Sequence, residues 1–129
     1  MEIKIGKTET RQTTVDQSNI ASALASGDLS VFSTPSMIAL MEHAADRCLA
    51  PFLEEGQSSV GTKIEAQHTA ATPVGMQVTA YAEIVGAEGK RVDFKVWAED
   101  ACGPIGQGSH SRFIISRERF MQKAEARKA

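Results

Sequence analysis

The chain has 129 residues and a formal net charge of −2, with 42% apolar and 23% charged residues. That length fits one domain over residues 1–129 whose core buries about 70% of the unfolded surface. Acidic and basic residues are interspersed, which gives no footing to a nucleic-acid groove, and no apolar run approaches the roughly 18 residues of a membrane span.

The start, "MEIKIGKTETRQ", lacks the apolar core of a secretory signal. Cys48 and Cys102 stand in no metal or redox spacing. A cytoplasmic chain with reduced thiols is the expectation, with neither nucleic acid nor membrane as partner. The first element expected is a strand from about Lys4 to Val15. "SNIASALASGDLSVF" (18–32) follows as a small-residue connection with partial helical character.

Next comes "STPSMIALMEHAADRCLAP" (33–51). Ser33 or Thr34 suits a helix cap, and Pro35 suits the first turn, where its missing N–H is no loss. Pro51 is expected to end the helix and to push Ala50 into an extended conformation. About 16 residues lie between, or roughly 24 Å of helix. Met37, Ile38, Met41, Ala44, Ala45, Cys48 and Leu49 cluster on one arc, and Ser36, His43 and Arg47 lie opposite. Glu42 falls at the edge of the apolar arc, where its carboxylate is only partly solvated.

After Pro51 the period changes to two. "VGTKIEAQH" sets Val60, Thr62, Ile64, Ala66 and His68 on one face and Gly61, Lys63, Glu65 and Gln67 on the other. "MQVTAYAEI" and "RVDFKVWAE" alternate more cleanly, with Val78, Ala80, Ala82, Ile84, Val92, Phe94, Val96 and Ala98 inward and Trp97 an outward exception. A less regular strand from about Ile105 to Ser116 completes the set. "TPVG", "GAEG" and "CGP" are turn chemistry spaced as in consecutive hairpins. The tail "RERFMQKAEARKA" reads as a polar helix or a frayed end. There is no internal repeat and no linker.

The order is therefore strand, long helix, four strands. The helix has one large partner, the apolar face of an antiparallel sheet of about five strands. This α+β arrangement matches the hotdog fold, a sheet wrapped around a central helix. Within it, "STPSMIALMEHAADRCLAPFLEEGQSSVGT", "HTAATPVGMQVTAYAEI" and "GSHSRFII" resemble the fluoroacetyl-CoA thioesterase family, from about Val31 to Arg119. The resemblance implies hydrolysis of a short acyl-CoA thioester to acid and CoA, without metal or redox cofactor. Motif by motif, it places catalytic roles on Thr34, Glu42 and His68, an acyl-pocket glycine on Gly61 and an arginine contact on Arg112. The fluoroacetyl-specific enzyme carries an aromatic gate where this chain has "SGDLSVF", with Asp28 near the gate position, so a more general acyl-CoA substrate is expected.

Each of these residues has a plainer reading. Glu42 is otherwise a helix-edge carboxylate, His68 a satisfied core histidine, Thr34 a cap, Gly61 a close approach or bulge, and Arg112 a cross-strand ion partner. Backbone N–H groups at the helix start, near Thr34 to Ser36 and flanking Pro35, offer a place for a developing oxyanion. Cys48 reads as a small buried hydrophobe, and His43 and His110 as structural, through solvent or a neighbouring carbonyl. A hydratase or dehydratase and a non-catalytic acyl-CoA-binding module are the alternatives on the same fold. Thr34 and Glu42 lie eight residues apart, about 12 Å along one helix, which predicts a homodimer or dimer of dimers with the site between subunits.

Overall fold

The structure, a computed structural model, describes residues 2–128. Its elements are β1 (Thr8–Thr14), α1 (Thr34–Leu49), a 3-10 turn (Ala50–Phe52), β2 (Gln57–His68), β3 (Gln77–Glu88), β4 (Arg91–Asp100), β5 (Gly103–Ser116) and α2 (Arg117–Glu125). The five strands form one antiparallel sheet in the order β1-β3-β4-β5-β2. The chain leaves the helix and runs to the far edge, so β1 and β2 are the two edge strands.

The sheet curls around α1, the hotdog arrangement. Met37, Met41, Ala44, Ala45, Cys48 and Leu49 are the buried side of the helix. They pack against the inward alternation of β3 and β4, where Val78, Ala80, Ala82, Ile84, Val92, Phe94, Val96 and Ala98 are at most 1% exposed. Alanines on both sides of this contact let helix and sheet approach closely, and each large apolar side chain contributes about 1.5–3 kcal/mol by leaving water. Trp97 lies on the outer face, stacked on Tyr81 across the β3–β4 pair with centroids 5.1 Å apart.

Three local expectations are corrected. Ala50 is not extended: it keeps helical angles (φ −49°, ψ −42°) and Pro51 enters a 3-10 turn. Proline is tolerated in a first turn because no N–H is required there, so the extended conformation arrives only at Leu53 (φ −84°, ψ 144°). The connection 18–32 forms turns and two isolated bridges, Ile20 with Phe32 and Val31 with Pro73, instead of helix. The third correction is in β2. The register against β5 shifts between Gly61 and Lys63, and one extra residue reverses which side chains face the core. Ser59 is buried, Gly61 faces the helix and Thr62 is exposed, while Ile64, Ala66 and His68 keep the expected inward phase.

Candidate active site

Two polar clusters lie along α1, one at its start and one near its middle. At the start, the Ser33 hydroxyl accepts the Ser36 N–H at 3.1 Å and donates to Ser36 Oγ at 2.7 Å. Pro35 has no N–H and the Met37 N–H is bonded to the Ser33 carbonyl. Thr34 thus carries the N–H of this turn that is left open among the described bonds. Its hydroxyl lies 2.8 Å from Nδ1 of His68 at the end of β2. His68 Nε2 is buried without a hydrogen-bond partner among the described residues. Burial pushes this imidazole below its ordinary value, with the Ala70 backbone opposing, so the ring is neutral at pH 7. The cluster opens on a cleft of about 290 Å³ whose walls include Ser26, Val31, Phe32, Thr34 and His68.

The second cluster forms where α1 crosses β2 and β5. Gly61 and Arg112 are register partners, and a Cβ built on Gly61 would lie 2.8 Å from Glu42 Oε2, 3.1 Å from His110 Cε1 and 3.6 Å from Arg112 Nη1. The glycine therefore keeps open the space that these three side chains border. Arg112, 7% exposed, donates from Nε to Ser59 Oγ at 2.9 Å and from Nη2 to the Ser59 carbonyl at 3.1 Å. It also pairs with Asp46 at 3.4 Å. Burial works against the guanidinium's charge, and Asp46 and Glu42 counter it, as a buried cation requires.

Sequence reasoning groups Thr34, Glu42 and His68. Within one chain the structure joins His68 to Thr34, and Glu42 to Gly61, His110 and Arg112. Glu42 is separated from Thr34 by about 12 Å of helix. Gly61 and His68 are likewise about 23 Å apart along β2. Pro35 is exposed in the first turn, and Ser36 is engaged by the cap. Asp46, four residues after Glu42 on α1, is held by Arg112 and Arg47.

The sequence does not mark Ser59, Asp46 or His110 as site residues. His110 does bond a neighbouring carbonyl, that of Lys63 at 2.7 Å, but it is buried beside Glu42. The signal available was "HSR", which sets a histidine and an arginine two residues apart and hence on one strand face. Cys48 is buried, and that burial raises its thiol, which disfavours a nucleophilic role.

The family model for FlK, fluoroacetyl-CoA-specific thioesterase, matches residues 15–118. The fluoroacetyl-CoA thioesterase of Streptantibioticus cattleyicolor is 47% identical over 93 residues, spanning 72% of this chain and 67% of that protein. Among solved structures, a threonine-to-serine variant of FlK in complex with acetyl-CoA matches with a TM-score of 0.92 at 36% identity, over 98% of this chain and 99% of that one. A Thermus thermophilus member of the thioesterase superfamily matches with a TM-score of 0.92 at 29% identity, over 98% and 94% of the two chains.

Proposed function

The chain belongs to the fluoroacetyl-CoA-specific thioesterase family, and from that premise we propose that it hydrolyses small acyl-CoA thioesters to free acid and CoA in a site shared by two copies of the chain. The observation that carries this reading is the division of polar groups along α1. Thr34 and His68 stand together at one end and Glu42, Gly61 and Arg112 at the other, and His68 Nε2 has no hydrogen-bond partner among the described residues.

Edge strand β2 supplies a way to join the halves. An antiparallel pairing of two copies about the midpoint of Ile64 and Glu65 sets His68 opposite the partner's Gly61. The Thr34–His68 pair of one chain then faces Glu42 and Arg112 of the other. A long unpaired edge favours such pairing, and a two-fold axis makes two equivalent sites.

In that site the acyl carbonyl sits between the open Thr34 N–H at the helix start and the Arg112 side. Glu42 supplies the oxygen nucleophile, either a water it deprotonates or its own carboxylate. In the second case a water then cleaves the acyl–glutamyl anhydride to release the acid and restore Glu42. As the tetrahedral centre collapses, the carbon–sulfur bond breaks and the CoA thiolate takes a proton relayed through His68. No group beyond side chains and water is required for these steps. Pro35 and Ser36 shape the wall at the helix start.

The cleft wall supports a general acyl preference. The loop where the gate position falls contributes Ala21 and Ser26 to that wall, both small, and Asp28 is exposed. The free thiols of buried Cys48 and exposed Cys102 suit the cytoplasm, and no helix among the described residues is long and apolar enough to cross a membrane. The test is thiol release from a panel of acyl-CoAs from acetyl to hexanoyl, with phenylacetyl and fluoroacetyl, by native protein and by Glu42→Ala. Turnover by the native chain that vanishes in the variant is expected. No release from any thioester, or full activity in the variant, contradicts the reading.

A further inference from the structure

His110 is 1% exposed and stands on β5 opposite Ile64 of β2 and Phe94 of β4. Its Nδ1 lies 2.7 Å from the Lys63 carbonyl oxygen, which only accepts, so Nδ1 carries the proton and donates. Its Nε2 lies 3.3 Å from Arg112 Nη1, which only donates. One state of the ring satisfies both bonds: neutral, and protonated at Nδ1. Burial pushes the imidazole below its ordinary value; the Lys63 carbonyl and Glu42 oppose this, and Arg112 adds to it. The charged groups facing the ring are Arg112 on its own strand and Glu42 on α1. From β4 it meets the Phe94 ring at 5.9 Å, and from β2 the Lys63 main chain.

A guanidinium has five N–H groups. In Arg112 the Nε–H goes to Ser59 Oγ, the two Nη2–H to the Ser59 carbonyl and Asp46, and one Nη1–H to His110. One Nη1–H remains, bordering the space over Gly61 that Glu42 Oε2 also borders. The ion-pair partner of Arg112 among the described residues is Asp46, not Glu42.

We propose that His110 is a positioning residue: as a neutral acceptor it engages the Nη1 end of Arg112, so that only the spare N–H faces the substrate beside Glu42. This rests on the roles proposed above for Glu42 and Arg112. Without the acceptor, Nη1 has no partner of its own and both its N–H groups are available to the Glu42 carboxylate, and a close pair in a half-buried site is held more strongly than in water. The carboxylate that the reaction needs is then occupied.

Two near-isosteres separate this role from a purely structural one. His110→Asn keeps a donor near the place of Nδ1 for the Lys63 carbonyl and has no atom at Nε2, whereas His110→Gln places an acceptor near Nε2. His110→Asn is expected to lower kcat by about 10- to 100-fold while KM moves less than about threefold, and His110→Gln is expected to recover most of that loss. Native kcat in the Asn variant, or equal losses in both, overturns the proposal.

The native protein gives a readout that needs no variant. Nitrogen NMR of the His110 ring at about pH 7 should show one protonated and one bare nitrogen, with hindered rotation of the Arg112 guanidinium. A doubly protonated ring at pH 7, or a proton on Nε2, overturns the proposal. Absent thiol release from the native chain contradicts the proposed hydrolysis and with it this role. A missing ring signature with thiol release intact contradicts the His110 role alone.

Discussion

The two ends of the site are built in different ways. At the start of α1, Ser33, Thr34 and Ser36 bond one another within one turn and His68 reaches in alone from β2. Eight residues on, Glu42 meets a network drawn from three elements, in which Ser59, Asp46 and His110 together engage four of the five Arg112 N–H groups. The first cluster is locally bonded and open, and among the described residues it leaves His68 Nε2 and the Thr34 N–H without partners. The second is charged, buried and held from all sides. An open half beside a fixed half suits the shared site proposed: one presents groups with nothing of their own to bind, the other sets the Glu42 carboxylate beside a guanidinium held by four bonds.

The comparison is broken most severely by removing the reactive group from either end. Glu42→Ala and His68→Ala are each expected to lower thiol release by about 10²- to 10⁴-fold, the usual weight of a general acid or base, while both variants keep native circular dichroism. A large loss from one end and none from the other would leave a single working cluster. Gly61→Ala is milder. Its new Cβ meets Glu42 Oε2 at 2.8 Å and His110 Cε1 at 3.1 Å, so the carboxylate has to shift. A displacement of this kind lowers kcat by about 10- to 100-fold while stability changes by about 1 kcal/mol or less, checked by steady-state kinetics and thermal melts.

Stability against pH reads both ends together. His68 and His110 each lie below the ordinary imidazole value of 6.5, so between those depressed values and 6.5 the unfolded chain binds more protons than the folded one. Their contribution to stability is fully present above about pH 6.5 and declines as the pH falls through the window below it. Melting midpoints measured from pH 7.5 downward should show that decline, and His110→Gln should remove the share belonging to the fixed end. The smallest effect is expected at the cap. Ser33→Ala loses the bond to the Ser36 N–H and costs about 1 kcal/mol, with activity lowered less than by any change at Glu42.

What the sequence revealed divides along the same line. The α1 boundaries, the inward alternation of β3 and β4 and the cap at Ser33 rest on neighbours a few residues apart, and periodicity reports such neighbours directly. The phase of β2 near Gly61 does not, because a bulge shifts the pattern by one residue without leaving a gap in it. Alternation therefore puts Gly61 on the outer face, although the family resemblance assigns it to the pocket. The Arg112 network joins residues 46, 59, 110 and 112 across a helix and two strands, and its members look like ordinary polar surface in one dimension. Pro51 misled for a simpler reason: proline stops an α-helix yet fits a first 3-10 turn, so Ala50 stayed helical.

The central claim, a site divided between two chains, is tested most directly by mixing two inactive variants. Glu42→Ala and His68→Ala chains, unfolded and refolded together in equal amounts, associate at random. Half of the dimers are then mixed, and each mixed dimer holds one intact site of two. The account predicts recovery of about a quarter of native thiol release from a mixture of individually inactive proteins. A mixture that forms mixed dimers and stays as inactive as its components would contradict a shared site.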